Sequence, residues 1–405
     1  MKVAVINSGS SSIKYEVFDA GDLTTLATGL IEKIGSSEGS LRQRRLKADG
    51  TFDEQIHQKP LANHREAFDL MASVNQHDRI IKDDSELLGI GHRVVHGGET
   101  FREPALINAG VIAAIRELIP LAPLHNPSNV LGIEAAQERF IGVPQVAVFD
   151  TAFHQTLPPA AYRYAVPQEL YEKHHVRKYG FHGSSHGFVA KEAAKYLGKP
   201  LSEANLIILH LGNGASAAAI QGGKSIDTSL GMTPLAGLVM GTRCGDIDPS
   251  IPFYLMRQTG MKPDDVEDLL NRESGLKGIC GVSDMREIQE RAAKGEERAA
   301  LAIEMFCYRI KKYIGAYYAV LGTLDALVFT GGIGENASTI RQRVCDGLER
   351  LGIGVDHGRN AAAKGSVSEI QSDGMPVKVL VIKTNEEREI ALQTISTIEK
   401  AKGNI

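Results

Sequence analysis

The residues most suited to chemistry in this chain are cations and a carboxylate placed where strands end or where the chain is irregular. Arg93 stands between apolar residues in LLGIGHRVVHGG, residues 87–98. A guanidinium in such a place needs an anionic partner, which is either a structural ion pair or a bound oxyanion. Arg243 centres residues 233–249, TPLAGLVMGTRCGDIDP, a long irregular stretch of the kind that carries function. Asp150 closes the apolar run Val146, Ala147, Val148, Phe149. Ligands of open α/β sheets bind beyond the carboxyl ends of strands, so Asp150 is placed for catalysis or a metal; a helix cap is the plainer role. His125 rides on PLAPLHNP and His182 on RKYGFHG. His182 and His186 have the i, i+4 spacing of a metal pair, but no Glu or third ligand is near and zinc is rejected.

Glycine turns are the second chemical signal. In LIILHLGNGASAAAI, residues 206–220, an apolar run meets His210-Leu211-Gly212-Asn213-Gly214 and a second apolar run follows. This predicts two buried strands joined by a tight loop. Without Cβ atoms the glycines let backbone N–H groups approach a phosphate, although an ordinary hairpin turn has the same sequence. Residues 2–19, KVAVINSGSSSIKYEVFD, repeat the plan, with strand, polar turn from Asn7 to Ser12, and strand. Two such units about 200 residues apart suggest two similar halves that hold a nucleotide. A third glycine turn, Gly331-Gly332-Ile333-Gly334, follows the apolar run 326–329 and leads into a helix through Ile340 and Val344, an arrangement that lets a nucleotide lie against backbone. It is not GxGxxG, and QGGKS at 221–225 lacks the first glycine and the helix of a phosphate-binding P-loop.

The elements that must position these residues follow from periodicity. Helices are expected over residues 64–76, 111–118, 129–140 with Ser128 as cap, 184–197, 264–271 and 296–321. Residues 274–286, SGLKGICGVSDMR, read as a glycine loop, 158–185 lack periodicity, and Arg42, Arg44 and Arg45 read as a solvated face. Residues 377–382 form a last strand, after which Glu386 and Glu387 open a helix whose dipole alone favours them. The 405 residues suggest two domains. A net charge of −4, from 45 basic and 49 acidic residues, gives no reason to expect nucleic acid or an anionic membrane as partner. No apolar run reaches the roughly 18–20 residues of a membrane span. Four scattered cysteines and no signal peptide lead to the expectation of reduced thiols in a cytoplasmic protein.

Taken in order, NSGSSSIK at 7–14, GHRVVHGG at 91–98, FDTAFH at 149–154, GFHG at 180–183, HLGNG at 210–214, the GTR to DP segment at 241–249, GGIGEN at 331–336 and TNEE at 384–387 closely resemble the acetokinase family, the acetate/propionate kinase group. The resemblance implies an α/β fold of the acetate and sugar kinase, Hsp70 and actin type, ribonuclease H-like, with two related domains around an interdomain nucleotide cleft. It implies an N-terminal domain of residues 1–150 completed by 384–405, a nucleotide-binding and dimerisation domain of 151–383, and a homodimer. The implied reaction is reversible, magnesium-dependent phosphoryl transfer from ATP to acetate, giving acetyl phosphate and ADP by in-line attack; manganese is expected to substitute for magnesium.

By the same resemblance Arg93 holds the acid's carboxylate, His182 and Arg243 stabilise the transferring phosphoryl group, and Asp150 is the catalytic carboxylate. Asn7 and Glu386 match the magnesium positions. Lys14, His210, Leu211, Gly212, Asn213, Gly214, Asp284, Met285, Arg286, Gly331, Gly332, Ile333, Gly334 and Glu335 match nucleotide-binding segments, and Val95, Leu124, Phe181 and Pro234 the pocket for the methyl group. A carboxylate nucleophile is already ionised at pH 7, with a pKa of roughly 4–5, so no general base is required. The task is to bring two anions together, for which Arg93, Arg243, His125 and His182 are suited. Asp150 is therefore expected to orient Arg93 or a magnesium-bound water rather than accept a proton. Lys277, Cys280 and Arg388 depart from the family pattern. The alternatives are a propionate kinase of the same family, a relative using pyrophosphate, and a non-kinase ATPase of the superfamily.

Overall fold

Strand Lys2–Ser8 (β1) alternates its apolar side chains between two faces, so Ala4 and Ile6 enter one core and Val3 and Val5 another. It pairs antiparallel with Ile13–Asp19 (β2), with Ser8 opposite Ile13 across the turn. The computed structural model describes residues 1–403. It contains two units, Met1–Ala152 with the stretch from Asn385 onward, and Phe153–Thr384. In the first unit Thr25–Glu32 (β3), Ser40–Leu46 (β4), Phe52–Gln58 (β5), Leu87–Val94 (β6), Ala105–Leu106 (β7) and Gln145–Phe149 (β8) complete a sheet of order β5-β4-β3-β2-β1-β6-β8-β7. In the second, Asn205–Leu211 (β9), Ala215–Gln221 (β10), Lys224–Thr228 (β11), Ala326–Thr330 (β12), Val367–Glu369 (β13) and Lys378–Ile382 (β14) are ordered β11-β10-β9-β12-β14-β13.

Each sheet has one plan. An antiparallel meander (β3-β2-β1, β11-β10-β9) is followed by two strands parallel to its innermost member (β6 and β8, β12 and β14) and an antiparallel edge. The repeated strand–turn–strand motif of the sequence is therefore a repeated sheet topology.

In the first unit helices His64–His77 and Asn126–Arg139 cover one face, and the C-terminal helix Glu386–Gly403 covers the other with Ile390, Ala391 and Ile398. Gly89 and Gly91 on β6 permit that close approach, because a Cβ would lie 2.2 Å from Ile398 Cδ1 and 2.3 Å from Thr394 Oγ1 respectively. In the second unit helix Gly183–Tyr196 packs Phe188, Val189 and Ala193 on the sheet, and Phe306, Ile310 and Tyr317 of helix Glu297–Leu321 are buried.

Three local expectations need correction. The helix expected at residue 129 begins at Asn126, because Pro127 is tolerated in a first turn where its missing N–H has no partner to satisfy; Ser128 is not its cap. The glycine loop at 274–286 holds a helix, Gly275–Cys280, and the start of another, Met285–Ala293, capped by the Asp284 carboxylate. The helix after Gly331 is two helices, Gly331–Asn336 and Ser338–Cys345, broken at Ala337. In the basic cluster Arg42 and Arg44 are exposed, but Arg45 pairs with Asp53 and Asp78. No helix among the described residues is long and apolar enough to cross a membrane.

Candidate active site

In the first unit the parallel register sets Ile6 beside His92 and Arg93 beside Val148. Asn7, Arg93 and Asp150 therefore lie at the carboxyl ends of β1, β6 and β8. The buried Asp150 carboxylate takes two bonds from the Arg93 guanidinium, from Nη2 and, at 3.2 Å, from Nε. The C-terminal helix brings Glu386 Oε2 to 3.9 Å from Arg93 Nε. Burial opposes the charge on Arg93, but Asp150 and Glu386 outweigh it and hold its pKa above the usual arginine value. Burial pushes the Glu386 carboxyl up, and Arg93 only partly offsets this. Lys14 pairs with Glu387.

Two buried asparagines, Asn126 and Asn129, fix the strand ends, and sequence reasoning missed both. Asn129 accepts from Val95 N at 3.1 Å and donates to Ser8 O at 3.0 Å; Asn126 accepts from His96 N at 3.2 Å. Their signal was the polar pair in NPSN at the start of a helix that buries them. His125 occupies the N-cap position just before them. Val95 is buried, whereas Leu124 is 49% exposed.

In the second unit His182 is the N-cap residue of helix Gly183–Tyr196 and takes the left-handed conformation with φ 57°. A side chain held there costs of order 1–3 kcal/mol and persists only where its surroundings fix it. Gly180, with φ +75°, lets the preceding turn press on His154, whose Nε2 lies 2.9 Å from Phe181 O. His182 Nδ1 meets Ser216 Oγ at 2.9 Å, and its ring lies 4.4 Å from that of His210. His210 Nδ1 is 2.8 Å from Ser185 Oγ.

Gly214 is where His182 and Arg243 converge. A Cβ on it would lie 3.5 Å from His182 Nε2 and 3.7 Å from Arg243 Nη1. The Arg243 guanidinium makes one long bond, 3.4 Å to Pro234 O, and has no carboxylate partner among the described residues. Burial lowers its pKa from the ordinary arginine value, which still leaves it charged at neutral pH.

A cavity of about 520 Å³ in the same unit joins three segments far apart in sequence: Gly212 and Asn213; Asp284, Met285 and Arg286; Gly332 and Ile333. Ser283, Gln289, Asn336 and Ala337 also line it, none of them among the nucleotide-binding residues that the resemblance implies. Arg286 pairs with Asp284 at 2.6 Å and holds its carboxyl down at about 2. Glu335 does not line the cavity. Its carboxylate accepts from Gly331 N and Thr384 N, both at 3.0 Å. Of the residues that depart from the family pattern, Lys277 pairs on a helix surface with Glu273, Cys280 is buried and Arg388 is exposed.

The two sheets define a pair of α/β domains of the acetate and sugar kinase, Hsp70 and actin type. Residues 2–392 match the acetokinase family. The chain is 57% identical over 402 residues to an acetate kinase of Syntrophobacter fumaroxidans, covering 99% of this chain and 98% of that one. Among solved structures it is similar to Porphyromonas gingivalis acetate kinase, at 44% identity and TM-score 0.92 over 98% of this chain and 99% of that one. It is also similar to a propionate kinase from Francisella tularensis, at 44% identity and TM-score 0.90 over 97% and 98%. The chain belongs to the acetokinase family.

Proposed function

We propose that the chain transfers the γ-phosphoryl group of ATP directly to the carboxylate of acetate, giving acetyl phosphate and ADP, reversibly. The observation that carries this reading is the convergence on the one point at Gly214 of His182 and the Arg243 guanidinium, which has no carboxylate partner among the described residues. Such donors, fixed before the reaction, stabilise charge as it develops on phosphoryl oxygens.

Arg93 binds the carboxylate of the acid, with His125 as a second donor, and Asp150 orients Arg93. Because Asp150 already accepts two bonds from that guanidinium, and the nucleophile needs no deprotonation, proton acceptance is not its task. Val95, Leu124, Phe181 and Pro234 supply the apolar contacts to the methyl group. The nucleotide lies against the Gly212 to Gly214 and Gly331 to Gly334 turns and the segment Asp284 to Arg286, with Lys14 and His210 toward its phosphates.

Magnesium fits Asn7 and Glu386. Both offer hard oxygen donors, and the part-buried Glu386 carboxylate is only partly offset by the charges of Arg93, 3.9 Å away, and Lys14. No group of three His, Cys, Asp or Glu among the described residues forms a metal cage, and magnesium is commonly held by one or two side chains, water and substrate phosphates. Held by Asn7 and Glu386, it would supply positive charge against the phosphates of the nucleotide, and manganese would substitute.

Exposed apolar side chains, Phe253 and Tyr254 on helix Ile251–Thr259 and Tyr308 on Glu297–Leu321, support a homodimer formed through the second unit. Sedimentation at micromolar concentration tests it, and a monomer there overturns it. The four free thiols suit a reducing cytoplasm.

A propionate kinase is the second reading, favoured by the equal identity to a propionate kinase structure. One methylene is worth about 1–3 kcal/mol in an apolar pocket, or about 10- to 200-fold. Comparing kcat/KM for acetate, propionate and butyrate decides. Acetate ahead sustains the first reading, and propionate ahead replaces it.

A further inference from the structure

Ser216, fully buried on β10, sits with its one hydroxyl between two imidazoles, 2.9 Å from His182 Nδ1 and 2.8 Å from His186 Nε2. A hydroxyl has one proton, so it donates to one ring and accepts from the other. The direction is decided at His186. Its other nitrogen, Nδ1, is buried and has no hydrogen-bond partner among the described residues. An N–H sealed there would bear the full desolvation penalty of an unmade bond, and a bare ring nitrogen is the lesser loss. Burial also keeps His186 neutral, with its pKa well below the usual histidine value.

His186 therefore carries its proton on Nε2 and donates to Ser216, which in turn donates to His182 Nδ1. The proton of neutral His182 is left on Nε2, the nitrogen beside Gly214 and Arg243. We propose that Ser216, backed by His186, is a positioning residue that locks His182 in its Nε2–H tautomer, so that a donor rather than a lone pair faces the transferring phosphoryl group. This rests on the role given to His182 above. The opposite tautomer would set a lone pair against phosphoryl oxygens and repel them. The same bond ties down a ring carried on left-handed backbone.

The test is the tautomer itself, read from long-range proton–nitrogen correlation spectra of the full chain labelled with 15N-histidine. The His182 signals are assigned by their loss in His182→Asn. The expected spectrum has Nε2 protonated and Nδ1 bare in the wild type, and a mixed or reversed tautomer in Ser216→Ala. That variant is expected to lose about 10- to 100-fold in kcat, with KM for acid and ATP within about threefold of wild type, and Ser216→Thr, which keeps the hydroxyl, recovers most of the loss. A wild-type proton on Nδ1, or a tautomer unmoved in Ser216→Ala, overturns the proposal. Should Ser216→Ala fail to fold, the wild-type spectrum alone decides. A tautomer that shifts as expected with kcat unchanged sustains the lock and overturns instead the phosphoryl role of His182.

Discussion

Replacing Gly214 with alanine tests the convergence of His182 and Arg243 with a single methyl group. The added carbon would sit 3.5 Å from His182 Nε2 and 3.7 Å from Arg243 Nη1, both ordinary contact distances. Gly214 is not among the positive-φ glycines, so its backbone suits alanine. The native fold has room for the methyl, and reduced freedom of the unfolded chain is worth about 0.4–1 kcal/mol in its favour. The unfolding temperature should therefore move by no more than about 3 °C. An oxygen that accepts bonds from both groups on the Gly214 side, however, lies about 2.9 Å from each and competes with that methyl for the same space. It is displaced by on the order of 1 Å, and misplacement of that size costs about 100-fold in rate. The assay pairs calorimetric unfolding with steady-state ADP formation at saturating ATP and acetate. A folded Gly214→Ala protein with turnover within about fivefold of wild type would refute the idea that the two side chains share one anion there.

Arg93→Ala removes an ion pair from a carboxylate that is 1% exposed. The expected loss is about 3–5 kcal/mol in urea unfolding, with turnover reduced by orders of magnitude; adding Asp150→Asn should restore stability but not turnover. Arg243→Ala should behave oppositely, because that guanidinium has no carboxylate partner among the described residues. Turnover drops about 1000-fold or more while the urea midpoint holds or rises, and near wild-type turnover would remove Arg243 from the transition state. Burial pushes His92 and His154 down to about 4, against an unfolded value of about 6.5. Between these values the unfolded chain binds more protons, so stability is full above about pH 6.5 and falls toward pH 4 by about 1.4 kcal/mol per unit for each histidine. Buried His186 is pushed down as well, so urea unfolding from pH 7.5 to 5 should show the summed slope of three histidines, and His92→Gln should flatten it by about a third.

Sequence revealed most where chemistry and periodicity coincide. The apolar runs on either side of the Gly212-Asn213-Gly214 turn could only be strands, and β9 and β10 pair across it from Leu211 opposite Ala215. Helix starts were less legible. Asn126 lies before a proline and its cap position holds His125, so the Ser128 signal that usually marks a start pointed three residues too late. The short helix Gly275–Cys280 was hidden by its glycines; its first-turn contacts, such as Leu276 N to Met240 O at 2.9 Å, are long-range. Ser216 was the least visible functional residue, one small side chain in the run ASAAA. Only folding sets it between His182 and His186, since the helix carrying His186 and strand β10 meet far from one another in sequence. The asparagines that fix the ends of β1 and β6 showed only as the polar pair in NPSN, since folding sets their partners, Ser8 O and the Val95 and His96 N–H groups.

The most direct measurement is ADP formation from magnesium-ATP with and without acetate, alongside acyl phosphate trapped as its hydroxamate. Direct phosphoryl transfer to a carboxylate requires that ADP appear only with the acid and that one hydroxamate form for each ADP. ATP turnover that continues at the same rate without acetate, with no hydroxamate, would contradict it and make the chain an ATPase.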